Sequence, residues 1–273
     1  MYKKAYGIIE TLAPLHVGAT AGEESGNLNL IFRDQFTQTG IIPGSSIRGR
    51  LRSEMRQING ESDSNYWYGN NEPGSEETEI NNESIIKFEY ASILWIPVFC
   101  PGQPIVWVTS PRLLQRYQRI AGDSKLKATE IPDPYTGSNN LKARDSKGKK
   151  TLFFNLGFLT INKTENLSPW FPDGKQKPSV IVDDSDIAMI HDMALYRQSR
   201  VRLKLDEKIV DGGGFFNTEA LPEGTILIFP IAIKQDKSGK KWQPFNDNSS
   251  TDIYLGGLES IGFGHCNLTL NQL

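Results

Sequence analysis

From about Lys4 to Leu12, Tyr6 and Ile8 alternate with Gly7, Ile9 and Glu10, a period near two that predicts a first β-strand. A turn-rich stretch from His16 to Asn29 follows, then an Ile41-Ile42-Pro43-Gly44 turn and a helix starting near Ser45. In that helix Ile47, Leu51, Met55 and Ile58 recur at the 3.6 period and make one apolar face, with Arg48, Arg52 and Arg56 as the adjacent stripe. Residues of about 60–84 are polar and rich in Gly, Asn and Glu, which predicts a surface insertion tacked down by Tyr66, Trp67 and Tyr68. Ile85 to Phe99 and Gln103 to Thr109 predict two strands joined by a Cys100-Pro101-Gly102 turn. Ser110 then offers an N-cap with Pro111 at the first helical position, and Leu113, Leu114 and Tyr117 supply the apolar face.

Apolar periodicity nearly vanishes over about 121–150, where a second, mobile insertion is expected. It resumes in a strand from Leu152 to Ile161 and in a helix behind Asp183-Asp184-Ser185, carrying Ile187, Ile190, Ala194 and Leu195. Arg200-Val201-Arg202-Leu203-Lys204-Leu205 alternates cleanly, Arg, Arg and Lys on one face against Val and Leu on the other. With Phe216 on the return strand this predicts a projecting hairpin over about 199–222 with a basic face. A strand from Thr225 to Lys234, a polar loop and a glycine-rich turn with a last strand complete the pattern, and no repeat of fixed period is present. The order of elements predicts a single α+β domain over 1–273: an antiparallel sheet of the ferredoxin-like or RNA-recognition type, helices on one face, with large insertions.

Composition sets limits on function. The 273 residues are 38% apolar and 23% charged, enough for a sizeable core. Thirty basic residues against 32 acidic give a formal charge of −2, so any nucleic-acid site is a local patch and not bulk neutralisation of phosphate. Cys100 and Cys266 form no CxxC pair and are too few for a disulfide framework, which points to a reducing cytoplasm. The first segment reads as a strand and not a signal peptide, and Thr225 to Ile233, broken by Pro230, is too short to span a bilayer.

Two constellations carry candidate chemistry. In Pro43-Gly44-Ser45-Ser46-Ile47-Arg48-Gly49-Arg50-Leu51-Arg52, small residues before a helix permit close backbone approach, and the helix N-terminus favours phosphate. Arg48 and Arg52, one turn apart, can reach successive phosphates; the plainer alternative is an ordinary capped helix with a solvated basic face. Leu255-Gly256-Gly257-Leu258-Glu259-Ser260-Ile261-Gly262-Phe263-Gly264-His265 concentrates four glycines, yet lacks the features of a Walker loop or a dinucleotide fingerprint; a plain turn is its alternative. His16, His191 and His265 are scattered, and no metal-ligand or nucleophile motif is present. Trp67, Trp95, Trp107, Trp170 and Trp242 leave open a β-rich interaction or carbohydrate-binding module, although tryptophans in strand-like segments are more simply core.

Taken in order, Pro14-Leu15-His16-Val17-Gly18, Arg33-Asp34, Ile42-Pro43-Gly44-Ser45-Ser46-Ile47-Arg48-Gly49 with Arg52, and Leu255-Gly256-Gly257 with Ile261-Gly262-Phe263-Gly264 resemble the RAMP superfamily of CRISPR-associated proteins. Within it the chain resembles the repeated backbone subunit of type III effector complexes of the Cmr or Csm kind. Pro104 to Pro111 and the run from Tyr196 to Pro222 are closer to the Cmr pattern. The resemblance implies a modified RNA-recognition palm that binds CRISPR RNA, and a hairpin thumb that wedges into the guide–target duplex. The implied partners are CRISPR RNA, target RNA and other effector subunits, including neighbouring backbone subunits, with no membrane. Expected RNA contacts are His16, Gly18, Ser45, Ser46, Arg48, Gly49, Arg52, Arg200, Arg202, Gly256, Gly257, Gly262 and Gly264. Active members of the family cleave target RNA with an acidic residue and a divalent metal. Aligning Arg33-Asp34 puts Leu28 or Asn29 at that acidic position, leaving Glu23, Glu24 and Asp34 as the catalytic candidates. The expectation is therefore guide binding with impaired slicing, no tightly bound cofactor, and Mg²⁺ only if the subunit cleaves.

Overall fold

A computed structural model describes residues 1–18, 28–69, 83–122, 124–146, 148–155, 157–203, 210–235, 239–246 and 248–272. The chain opens with β1 (Tyr2–Thr11), the short strands β2 (Leu28–Asn29) and β3 (Ile41–Ile42), and helices α1 (Gly44–Asn59) and α2 (Glu61–Tyr68). Strands β4 (Ile86–Phe88), β5 (Ala91–Cys100) and β6 (Gln103–Thr109) lead to α3 (Pro111–Ala121) and the single turn α4 (Ser124–Lys127). Next come β7 (Thr136–Ser138), β8 (Arg144–Ser146), β9 (Lys149–Phe154), β10 (Gly157–Ile161), β11 (Lys163–Glu165), β12 (Ser179–Ile181) and α5 (Ile187–Ala194). The hairpin β13 (Tyr196–Leu203) and β14 (Val210–Ala220) is followed by β15 (Ile226–Lys234), β16 (Ser250–Tyr254) and β17 (His265–Asn271).

The main sheet runs β11-β7-β12-β6-β5-β15-β1-β17-β16, with β3 and β4 pairing onto β5 and β15. Its central pairs are antiparallel: Ile8 of β1 lies opposite Ile228 of β15 and Thr269 of β17. Toward one edge the pairs β12–β6 and β11–β7 are parallel. The β13–β14 hairpin forms its own small sheet, to which β2 adds in parallel.

Successive side chains of a strand point to opposite faces, and here both faces carry a core. Ile9, Ile93, Leu227 and Phe229 pack with Ile47, Leu51 and Met55 of α1 and Ile187 and Ile190 of α5. Ile8, Leu94, Trp95, Ile226 and Ile228 pack with Leu114, Tyr117 and Ala121 of α3 and with Leu126 of α4. The expected helices on one face are thus corrected to helices on both. Strands β5 and β15 are apolar at consecutive positions, so neither of their faces can be left in water. A register break between Ile226 and Leu227 sets Leu94 and Trp95 toward the same core. There the Trp95 ring stacks on Phe171 at 4.4 Å and donates to the Trp170 carbonyl at 2.9 Å.

The segments expected as polar insertions also hold structure. Within 60–84, α2 buries Trp67 and Tyr68, while residues 70–82 lie outside the described residues. Within 121–150, the mobile segment expected from composition instead contributes β7 to the main sheet, with Thr136, Gly137 and Ser138 all buried, and Leu126 and Leu141 to the cores. A buried Thr-Gly-Ser strand has no apolar period to read, which is why composition misjudged it. Among the described residues no helix is long and apolar enough to cross a membrane.

Candidate nucleic-acid interface

Residues 14–18 act as a hub between elements remote in sequence. Leu15 and Leu221 exchange backbone hydrogen bonds at 2.9 Å, tying the hub to the foot of the β13–β14 hairpin. Buried His16 strengthens this tie: its Nδ1 donates to the Glu219 carbonyl on β14 at 2.6 Å. The His16 carbonyl accepts from Gly257 N–H at 3.0 Å and the Pro14 carbonyl from Gly264 N–H at 2.9 Å, so the late glycine turn lies against the hub. Two of the turn's glycines are dictated by this approach. Gly256 has φ +78° and a Cβ there would sit 2.2 Å from the His16 carbonyl oxygen; Gly264 has φ +86° with the Leu255 carbonyl oxygen 2.4 Å away. Tyr196, at the start of the hairpin, meets Phe263 of the turn edge-on at 5.9 Å.

On the outer side of the hub an open groove of about 470 Å³ is lined by Val17 and Gly18 from the hub, Ser46, Gly49, Arg50 and Ser53 from α1, Tyr254 at the end of β16, and Gly256, Gly257 and Glu259 from the glycine turn. The first helix and the terminal turn therefore share one surface. Gly49 faces open space, so the α1 backbone is approachable there. Arg50 is the cation of the groove among the described residues, paired with Glu54 one turn on and with Glu259 across the groove at 3.7 Å.

Arg48 and Arg52 point elsewhere. Arg48 donates to the Tyr68 carbonyl and Arg52 Nη2 to Asn65 Oδ1 at 3.1 Å, so this expected phosphate-reaching pair clamps α2 to α1. Ser45 is exposed but does not line the groove, and α1 starts after Pro43 with no side-chain cap. Gly262 lies in open surroundings on the turn. On the hairpin, the Arg200 guanidinium stacks 5.2 Å from the Phe216 ring, away from the groove lining. The Arg202 side chain lies outside the described residues.

A charge cluster fixes the hairpin foot. Glu219, whose side chain is 4% exposed, accepts from Arg33 at 3.1 Å and Arg197 at 3.2 Å, and both arginines also pair with Asp192. Burial opposes ionisation of Asp192, but the two arginines outweigh it and hold its carboxyl below the ordinary value. Beside it, fully buried His191 accepts the Gly40 N–H through Nε2 at 2.9 Å, pinning the chain where it enters β3 and α1. Burial, helped by the Arg33 charge, lowers its pKa to about 3, so the ring is neutral.

Asp34 is occupied by its own turn. Its Oδ1 accepts Phe36 N–H, Thr37 N–H and the Thr37 hydroxyl, and Oδ2 accepts from Tyr90 at 3.4 Å. Burial raises its pKa, and these hydrogen bonds lower it by more. A carboxylate so engaged is a poor magnesium ligand, and among the described residues no three His, Cys, Asp or Glu side chains gather as a metal site. Glu23 and Glu24 lie outside the described residues. The five tryptophans line no single site: Trp67, Trp95, Trp170 and Trp242 are buried in the cores, of which Trp67 and Trp242 also reach the wall of one cleft of about 810 Å³, and Trp107 donates to the Gly224 carbonyl beneath Lys177.

Sequence reasoning missed Arg50, Tyr254 and Glu259. For Arg50 the signal was present: positions 48 and 50 are two apart on a helix, so they cannot share a face.

A sequence profile of the RAMP superfamily matches residues 8–267. A type III-B Cmr-beta structure bound to cognate target RNA matches with a TM-score of 0.73 at 22% identity, covering 98% of this chain and 96% of that one. Oligomeric Cmr4 from Pyrococcus furiosus matches with a TM-score of 0.66 at 20% identity, covering 99% of this chain and 100% of that one. These likenesses show the fold. No curated protein matches the sequence.

Proposed function

The chain belongs to the RAMP superfamily, and we propose that it is a guide-RNA-binding backbone subunit of a type III CRISPR effector complex that holds guide and target RNA with little or no slicing of its own. The observation that carries this reading is the shared groove: α1, the glycine turn and the hub meet around Gly18, Gly49, Gly256 and Gly257, with Arg50 as the cation. Bare backbone beside one arginine suits a sugar–phosphate chain, read by shape and not by base sequence. The Cmr-beta relative of the same fold binds target RNA, and the Cmr4 relative is oligomeric, in keeping with neighbouring copies and other effector subunits as partners. The sheet serves as the RNA-recognition-like palm and the β13–β14 hairpin as the thumb, its foot held by Glu219 and His16. Two buried free thiols suit a cytoplasmic setting.

The reading of little or no slicing rests on Asp34 being committed to its turn and on Leu28 and Asn29 standing where the family's acid is expected. The test is the assembled complex with guide, matched target and Mg²⁺. The expected results are bound RNA of defined length and no cut opposite this subunit. Efficient cleavage that is abolished by Glu23→Gln, Glu24→Gln or Asp34→Asn would overturn the slicing statement alone. A complex that assembles without RNA would overturn the whole reading.

A further inference from the structure

We propose that a second surface, the cleft between α3 and the Asp34–Thr37 turn, is a stacking site for single-stranded RNA. In it Phe36 is the platform for one base, and Arg112, Arg119 and Lys127 follow the phosphates. The cleft measures about 1180 Å³ and shares no lining residue with the glycine-turn groove. It is also placed apart, since α3 packs chiefly on the core opposite the one α1 covers.

Phe36 is 76% exposed. An aromatic ring left in water on a floppy loop would be unremarkable, but this one stands on a turn locked by the three hydrogen bonds to Asp34 Oδ1. A ring presented rigidly loses little entropy when a base stacks on it. The Arg112 guanidinium lies 5.6 Å from its centroid, the pairing of cation and aromatic face that single-strand binders use. The wall behind is equally fixed: Arg116 donates to Ser92 Oγ at 2.8 Å and to the Tyr90 carbonyl, and stacks on the Tyr90 ring at 4.3 Å.

Charge selects the ligand. Arg112 and Arg119 lie on one face of α3, about 10 Å apart along its axis, and Lys127 continues the line from α4. Among the described residues none of the three makes an ion pair. The three carboxylates of the cleft are engaged: Asp34 by its own turn and by Tyr90, Asp184 by the backbone N–H of Arg112 at 3.1 Å, and Asp133 by Lys163 at 3.1 Å. One exposed ring in a row of uncommitted cations fits a polyanion with stackable faces, and not an apolar protein surface.

The test uses the purified full-length chain and a fluorescein-labelled single-stranded RNA of about 12 nucleotides. Phe36→Ala is expected to lower affinity about tenfold and Phe36→Tyr to leave it nearly unchanged, both with unaltered thermal midpoints. Joint replacement of Arg112 and Arg119 by Ala should lower the salt slope of binding by about 1.4. A 5-iodouridine-labelled strand should crosslink to the peptide containing Phe36. Unchanged affinity in Phe36→Ala with no such crosslink overturns the site; if Arg50→Ala weakens binding in the same assay, the groove reading stands while this one falls. Intact RNA binding with lost self-association in Phe36→Ala overturns it too, assigning the ring to a protein contact.

Discussion

Helix α1 has a closed side and an open side, and both are basic. On the closed side Arg48 and Arg52 reach Tyr68 and Asn65, and the chain entering the helix is pinned by His191 through Gly40. On the open side Ser46, Gly49 and Arg50 face the glycine turn across a groove. The same residue type thus has opposite uses two positions apart. An arginine whose donors are satisfied by the protein's own carbonyls contributes to stability, and one left facing a groove contributes to binding.

The largest effects should come from glycines that look alike in sequence and differ in surroundings. Gly256→Ala puts a Cβ against the His16 carbonyl at positive φ and should cost about 3 kcal/mol, lowering the thermal midpoint by roughly 8 °C. Gly49→Ala, in open space within a helix, should instead raise stability by about 1 kcal/mol while lowering RNA affinity. Differential scanning calorimetry beside an RNA titration checks both. A Gly49→Ala variant that binds RNA as tightly as the wild type would remove the open side from the site.

The closed side should show itself in pH. The His191 pKa is depressed from 6.5 to about 3, so its stabilising effect is complete above pH 6.5 and lost as pH falls toward 3, because the unfolded chain takes up a proton that the native chain refuses. Between pH 7 and pH 5 this amounts to about 2 kcal/mol. Urea unfolding of His191→Gln should show a flatter pH dependence over that interval than the wild type. Parallel curves would mean that the ring is not held neutral.

Smaller again is Arg48→Ala, which strands a buried Tyr68 carbonyl and should cost about 1.5 kcal/mol with RNA affinity per folded molecule unchanged. Lost affinity at unchanged stability would return Arg48 to the binding surface, where its sequence had placed it.

How much of this was legible follows from the kind of signal involved. The α1 stripe of Ile47, Leu51 and Met55 and the strand alternation around Ile8 and Ile9 are periodic, and the structure buries them, whereas Ile58, read as the last member of the same stripe, lies at the helix end and is 51% exposed. His16, Gly18 and the late glycines were named as candidates through the family resemblance; the structure ties Pro14 and His16 to the turn by hydrogen bonds more than 200 residues apart in the chain and sets Gly18 in the same groove. What stayed hidden was anything set by tertiary contact alone. The second core needed the neighbours of β5 and β15. The engagement of Arg48 and Arg52 needed α2, whose polar composition resembled an insertion. Glu259 looked like one more turn residue until Arg50 stood opposite it.

That last pair gives the finest test of the two sides. Glu259 is 44% exposed and holds Arg50 at 3.7 Å, a long and solvated contact, so the pair adds little to stability. In an anion-binding groove its carboxylate has a second consequence: it competes with phosphate for Arg50 and repels the incoming strand. Glu259→Gln keeps the shape and removes the charge, and should tighten RNA about threefold at low salt, the gain fading as salt screens it. The same change placed in an Arg50→Ala background should bring a smaller gain, because only the repulsion is left to relieve. Equal gains in both backgrounds would show that Glu259 acts on RNA alone, and no gain in either would place the strand outside this groove.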